Sequence, residues 1–211
     1  MQLLAKDYER NLNNRVHYSQ AGQDLFAVDM MEAKKGRTYI EIGGAHPFES
    51  NNTHLLESLY NWNGFSIEYD QMLCKEFNEN RNNECVLADA ITFDYKKYLI
   101  DNSFPKRIDY LSLDIDPAKC TFQALKALPF DDYRFSTITY EHEYYINGSE
   151  FMESSRAFLE AKGYKLVAAN VNCYGRDFED WWVDESFIPE SVWRPYLSSQ
   201  KEFSDLILPS T

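Results

Sequence analysis

The sequence predicts an α/β fold in which a mostly parallel sheet carries helices on both faces. Three observations predict it. Short runs rich in β-branched and aromatic residues alternate with longer amphipathic runs from residue 39 onward, and repeated βα alternation builds parallel sheets. The apolar run Thr38-Tyr39-Ile40-Glu41-Ile42 ends in Gly43-Gly44, where the backbone can turn at positive φ and approach a neighbour closely because no Cβ intervenes. Carboxylates close successive strand-like runs, at Glu68, Asp89, Asp114 and Glu141. The 211 residues contain no repeat, low-complexity tract or linker, so the chain reads as one domain over 1–211, with a core at about 19–186.

Taken in order, residues 39–42 form the first strand. Residues 52–61 follow as a helix, with Leu55, Leu56, Leu59 and Tyr60 on one face and an Asn cap before it. The second strand is 65–68 and the next helix 71–81. A short third strand, 85–88, runs into Asp89, and 95–101 is helical. Residues 108–114 read as a buried strand, followed by a helix at 122–128 that Pro129 closes. Residues 135–140 are β-branched and aromatic, hence a strand. The last long helix is 150–162, with Gly163 at its C-cap. Two final strands, 164–171 and 178–183, sit close enough in sequence to form an antiparallel hairpin, giving seven strands in all.

The net charge of -13 argues against a nucleic-acid partner, which needs cations to displace phosphate counterions. Basic residues are scattered, and an anionic membrane surface would repel the chain. No apolar run approaches the roughly 20 residues of a membrane span. The opening residues are too polar for a secretory signal, so a cytoplasmic protein is expected. Cys74, Cys85, Cys120 and Cys173 form no CxxC pair and read as reduced structural thiols. With 15 Tyr, 14 Phe and 4 Trp, aromatics should fill much of the core, Trp181 and Trp182 among them. Oligomeric state does not follow from the pattern.

Glu68 stands 23 residues beyond Ala45, near the spacing of roughly 20 at which a carboxylate reaches ribose hydroxyls. A strand, a glycine turn, a helix, a strand and an acid at its tip describe a pocket for an adenosine-containing cofactor. A nicotinamide-dependent (NAD) oxidoreductase shares that signal. However, Gly43 to Phe48 does not complete G-x-G-x-x-G, and Pro47 interrupts the run into a helix. A catalytically silent nucleotide-binding module is a third reading.

Further motifs fall in a recognisable order: Ser19-Gln20-Ala21-Gly22-Gln23-Asp24, Glu41-Ile42-Gly43-Gly44-Ala45-His46-Pro47, Asn51-Asn52-Thr53-His54-Leu55-Leu56-Glu57 and Trp62-Asn63-Gly64-Phe65-Ser66-Ile67-Glu68. Asp109-Tyr110-Leu111-Ser112-Leu113-Asp114 and Glu141-His142 continue it. The set resembles FkbM-type methyltransferases, a group of class I S-adenosylmethionine-dependent enzymes. The resemblance implies a Rossmann-like, seven-stranded class I methyltransferase fold. It also implies methyl transfer from S-adenosyl-L-methionine, usually to a hydroxyl oxygen of a sugar, glycan or small-molecule acceptor. It assigns Glu41, Gly43, Gly44 and Ala45 to the methionine moiety, Glu68 to the ribose, and Asp89 with Ala90 to the adenine. Asn52, Thr53 and Asp114 complete the expected cofactor contacts. Gln20 and Gln23 either close over the cofactor or cap the following helix. The turn departs from the general superfamily pattern, which places one glycine two positions after another.

In this sheet order Asp114 and Glu141 end neighbouring strands, roughly 5 Å apart. Carboxylates that close hold a proton, a metal or a basic group between them. His142 is the expected general base, because its ordinary pKa of about 6.5 lies near working pH. Asp114, Asp116, Glu141 and His142 together would suit Mg²⁺ or Mn²⁺, although Asp116-Pro117 also reads as a helix start.

Overall fold

In a computed structural model, residues 3–209 are described. Met1 and Gln2, part of the opening segment judged too polar for a leader, and the tail residues Ser210 and Thr211 lie outside the described residues. The chain begins with a 3-10 turn and the small hairpin β1 (Arg10–Leu12) and β2 (Arg15–His17), then α1 (Gln23–Met30). The expected alternation follows: β3 (Thr38–Ile42), α2 (His54–Tyr60), β4 (Asn63–Glu68), α3 (Gln71–Asn80), β5 (Glu84–Leu87), α4 (Tyr95–Asp101), β6 (Arg107–Leu113), α5 (Ala118–Ala127) and β7 (Arg134–Glu141). After α6 (Tyr144–Asn147) and α7 (Glu150–Ala161) come β8 (Lys165–Cys173) and β9 (Arg176–Val183). The tail adds α8 (Glu190–Trp193), β10 (Ser198–Ser199) and α9 (Phe203–Leu206).

The main sheet has the order β10-β8-β9-β7-β6-β3-β4-β5. Strands β3 to β7 pair parallel, and β9 runs antiparallel between β7 and β8. All seven expected strands are present. The eighth is the two-residue β10, pairing parallel with β8 at the sheet edge, too short to show a period of its own.

Side chains alternate across the sheet, and both faces are covered. Tyr39, Tyr110 and Trp181 pack with Phe26 of α1 and Leu55 and Leu56 of α2. Ile40, Leu111, Ile138 and Trp182 pack with Leu99, Leu125 and Leu159 of α4, α5 and α7. Double coverage explains why β6, with six of its seven residues buried, reads as a near-continuous apolar run.

Helix starts show where local reading was incomplete. Asn51 Oδ1 accepts from the N–H groups of Thr53 (3.1 Å) and His54 (2.8 Å), the cap expected for α2. Helix α5 begins at Ala118, four residues before the expected 122, because its cap comes from far along the chain: Ala118 N–H donates to Glu143 Oε2 at 2.6 Å. Asp116 is therefore not the cap, and Pro117 occupies that position in an extended conformation. The helix expected after Gln20 and Gln23, α1, could not be given bounds from sequence because seven of its residues are buried, leaving no polar face to reveal a period.

The tail clasps α1. Tyr196 hydroxyl bonds Asp29, which Arg15 grips through two hydrogen bonds of 2.6 and 2.7 Å, and Leu206 and Ile207 are buried in the same cluster as Phe26. Among the described residues no helix is long and apolar enough to cross a membrane.

Gly64 lets β4 lie close against β3, since a Cβ there would stand 2.4 Å from Tyr39 O. Backbone cannot yield without opening the strand pair. Gly64→Ala is expected to lower stability by about 3 kcal/mol, the upper range for overpacking, measured as a lowered urea midpoint.

Candidate functional site

A cavity of about 740 Å³ opens at the carboxyl ends of β3, β4, β5 and β6, where ligands of open α/β sheets bind. The turn after β3 forms its floor. Gly43 has φ +95, and a Cβ on it would stand 1.9 Å from Asp114 O, so only glycine lets this turn lie against the end of β6. Gly43 and Gly44 both donate to Ile67 O at 3.0 Å, fastening the turn to β4 as well.

Glu41 lines the cavity but is only 1% exposed. Its carboxylate accepts from Ser66 Oγ (2.6 Å), Thr53 Oγ1 (3.0 Å), Asn52 N–H (3.2 Å) and Asn51 Nδ2 (3.4 Å). Burial lifts its pKa to about 7, while the nearby Arg81 and the side-chain donors work against that rise.

Glu68 stands at the tip of β4, its Oε2 accepting from Ala45 N–H at 2.9 Å and its Oε1 from Asp70 N–H at 2.8 Å. Asp89, on the next strand tip, accepts from Ile91 N–H at 2.9 Å. Ala45, Ala90 and Gln20 also line the cavity. Asn52 lines it too; Nδ2 donates to Ser112 Oγ at 3.0 Å, and Oδ1, although buried, has no hydrogen-bond partner among the described residues. An acceptor kept dry and unpartnered suits a donor on a ligand.

Two expected contacts lie elsewhere. Thr53 is fully buried behind the cavity, where its hydroxyl serves Glu41. Gln23 is equally buried and faces β9, donating to Glu179 Oε2 at 3.1 Å, with its own Oε1 taking Ala21 N–H at 2.8 Å.

At the ends of β6 and β7, Asp114 and Glu141 do come together. Burial and then the adjoining Asp114 carboxyl push the Glu141 pKa well up from the usual carboxylate range, favouring its protonated form. Glu179, register partner of Glu141 on β9, is raised to about 8, chiefly by burial.

His142 does not join them. It is 0% exposed, with Nδ1 accepting from Tyr144 N–H at 3.2 Å and Nε2 lying 3.5 Å from the buried Asp180. A ring enclosed there cannot meet an acceptor in the cavity, which corrects the expectation of a histidine base. The expected Mg²⁺ or Mn²⁺ set does not assemble either, because His142 is turned inward, away from the other three. Among the described residues no three His, Cys, Asp or Glu side chains are arranged to hold a metal ion.

No family model and no curated protein matches the sequence. Solved structures do. A proposed O-methyltransferase from Klebsiella pneumoniae matches with a TM-score of 0.53 at 14% identity, covering 80% of this chain and 82% of that one. The human methyltransferase 10 domain containing protein gives 0.53 at 14% identity, with 77% and 80% covered. A proposed rRNA methylase from Clostridium thermocellum gives 0.50 at 16% identity, with 78% and 95% covered. The fold is that of the class I methyltransferases. The cavity described above lies over the parallel half of the sheet.

Sequence reading missed Cys120 and Ile115, which line the cavity; no motif marks them, because the α5 start that brings them there depends on Glu143. It noticed Glu179 and Asp180 as acids beside Trp181 and Trp182 but not their separate partners, Gln23 for Glu179 and Arg156 for Asp180.

Two predictions follow from the buried acids and the turn. Glu41 and Glu179 have folded pKa values near 7 and 8, above their unfolded values near 4.5. The folded chain therefore holds more protons between about pH 5 and 8, and stability should fall as pH rises through that window. Calorimetric melting temperatures should be higher at pH 5.5 than at pH 8, and Glu179→Gln should flatten the slope. Gly43→Ala should unfold the protein or close the cavity, read as a loss of cofactor-product binding with a melting temperature lowered by several degrees.

Proposed function

We propose that the chain is an S-adenosylmethionine-dependent methyltransferase of the FkbM type, transferring a methyl group to a hydroxyl oxygen of a sugar, glycan or other small-molecule acceptor. The observation that carries this reading is the row of strand-tip groups around one cavity: the Gly43-Gly44 turn, Glu68, Asp89 and Asp114.

The residues fit the cofactor. A floor that a Cβ on Gly43 would fill, the unpartnered acceptor of Asn52 and the carboxylate of Glu68 suit an amino acid joined to a nucleoside. Gly43, Gly44 and Asn52 would hold the methionine moiety, with Glu41 buttressing the loop from beneath; Glu68 would accept from the ribose hydroxyls, and Asp89 with Ala90 would face the adenine. When bound, the cofactor supplies an electrophilic methyl group on a sulfonium.

The Asp114–Glu141 pair supplies the proton acceptor. Burial and the adjoining Asp114 carboxyl favour the protonated form of Glu141, and Asp114, which lines the cavity, would take the acceptor hydroxyl's proton as the new C–O bond forms. Proton removal by a positioned group contributes about 10²–10⁴-fold. His142 then acts in packing the end of β7 against Asp180. The net charge of -13 favours a small acceptor over an RNA, because so acidic a surface gains nothing from counterion release.

Titration calorimetry with S-adenosylhomocysteine, beside NAD⁺, tests the reading. Binding of S-adenosylhomocysteine alone supports it, and binding of NAD⁺ alone overturns it in favour of hydride chemistry. Glu68→Gln should weaken S-adenosylhomocysteine by about tenfold or more, the worth of hydrogen bonds to a charged group. Asp114→Asn should lower turnover by about a hundredfold.

A further inference from the structure

A second cavity, of about 230 Å³, adjoins the first and is lined by Gln20, Tyr145, Cys173, Tyr174, Arg176 and Phe178. Gln20 lines both, so the two cavities meet at this residue. The walls come from α6 and from the turn joining β8 to β9, which the antiparallel pairing carries to the same end of the sheet as Asp114 and Glu141.

Arg176 sets this cavity apart. Arg15, Arg81, Arg134 and Arg156 are each committed to a carboxylate. Among the described residues Arg176 is the one arginine whose guanidinium has neither a hydrogen bond nor an ion pair; it lies 5.4 Å from the centroid of the Tyr145 ring. Five free donors in a planar fork match a carboxylate or phosphate. Tyr145 and Tyr174 are 42% and 83% exposed, offering flat faces for a ring. The volume admits about one ring and its substituents.

We propose that this cavity is an acceptor subsite that reads an anionic group, a carboxylate or a phosphate borne on a hydroxylated ring. Calling it an acceptor subsite rests on the methyltransferase reading; its preference for anions does not. A surface with a net charge of -13 repels anions broadly, so an anionic ring is held where the free guanidinium lies. With its acid at Arg176, a hydroxyl on the same ring is presented across Gln20 to Asp114.

The test uses ligand-observed NMR titrations of the whole chain, with S-adenosylhomocysteine present, on matched probes: glucuronate and glucose 6-phosphate against glucose, and 3,4-dihydroxybenzoate against catechol. At least one acid should bind about tenfold more tightly than its neutral partner, as a charge-assisted pair requires; which acid does so distinguishes sugar acid, sugar phosphate and aromatic acid. Arg176→Gln should abolish that preference while S-adenosylhomocysteine affinity stays unchanged. Tyr174→Ala should weaken acid and neutral members alike. Equal binding of acids and neutrals, a preference that survives Arg176→Gln, or no binding of any acid overturns the proposal. An Arg176-dependent preference in a protein that ignores S-adenosylhomocysteine upholds the anion subsite and overturns the methyltransferase reading instead.

Discussion

The structure depends on one buried carboxylate. Glu41 ties β3 to β4 through Ser66 and to the loop before α2 through Asn51, Asn52 and Thr53. Arg81 extends the node, donating to Asn51 Oδ1 at 2.9 Å, Thr53 Oγ1 at 3.1 Å and Pro47 O at 3.0 Å, while pairing with Glu57 at 2.9 Å. The whole glycine loop, from β3 to α2, is thus wound around a single acid and a single base. Buried charges are tolerated when their hydrogen-bonding capacity is met, and here it is met by the groups that need ordering. Gly43 and Gly44 can then lie flush against β4 and β6, since the loop that follows them has no freedom to lift away.

A second buried arrangement governs the other half of the sheet. Asp180 is fully buried, yet Arg156 grips it through hydrogen bonds of 2.7 and 2.8 Å, outweighing burial and holding its pKa below the ordinary value. His142 packs beside it. Asp180 pairs in register with Tyr140, and its neighbour Glu179 with Glu141, so the ion pair and the buried acid lie on opposite faces of β9.

Much of this was legible in the sequence, for identifiable reasons. The strands of the parallel half were readable because burial on both faces makes β3, β4 and β6 short runs rich in apolar residues. The acids at their tips were readable because each closes such a run just before a turn. Glu68, Asp89 and Asp114 duly border one cavity. Side-chain direction was not readable. Glu141 and His142 are adjacent, and nothing local says which of them turns toward Asp114 and which toward Asp180. The α5 start was equally hidden, because Glu143, 25 residues away, supplies its cap. Arg176 drew no attention as a lone base in an acidic chain; its meaning lies in the partners it lacks, which only three-dimensional placement reveals.

The hairpin of β8 and β9 has a consequence of its own. Its turn, Tyr174-Gly175 with φ of +55 and +78, belongs to neither the glycine loop nor the buried acid node, and it joins the rest of the sheet chiefly through the β7–β9 ladder. Residues at that tip can be exchanged, or the tip lengthened, without disturbing Glu41, Gly43 or the pairing of β3 with its neighbours. The scaffold thereby separates a tip that is free to vary in length and composition from a glycine loop that is not.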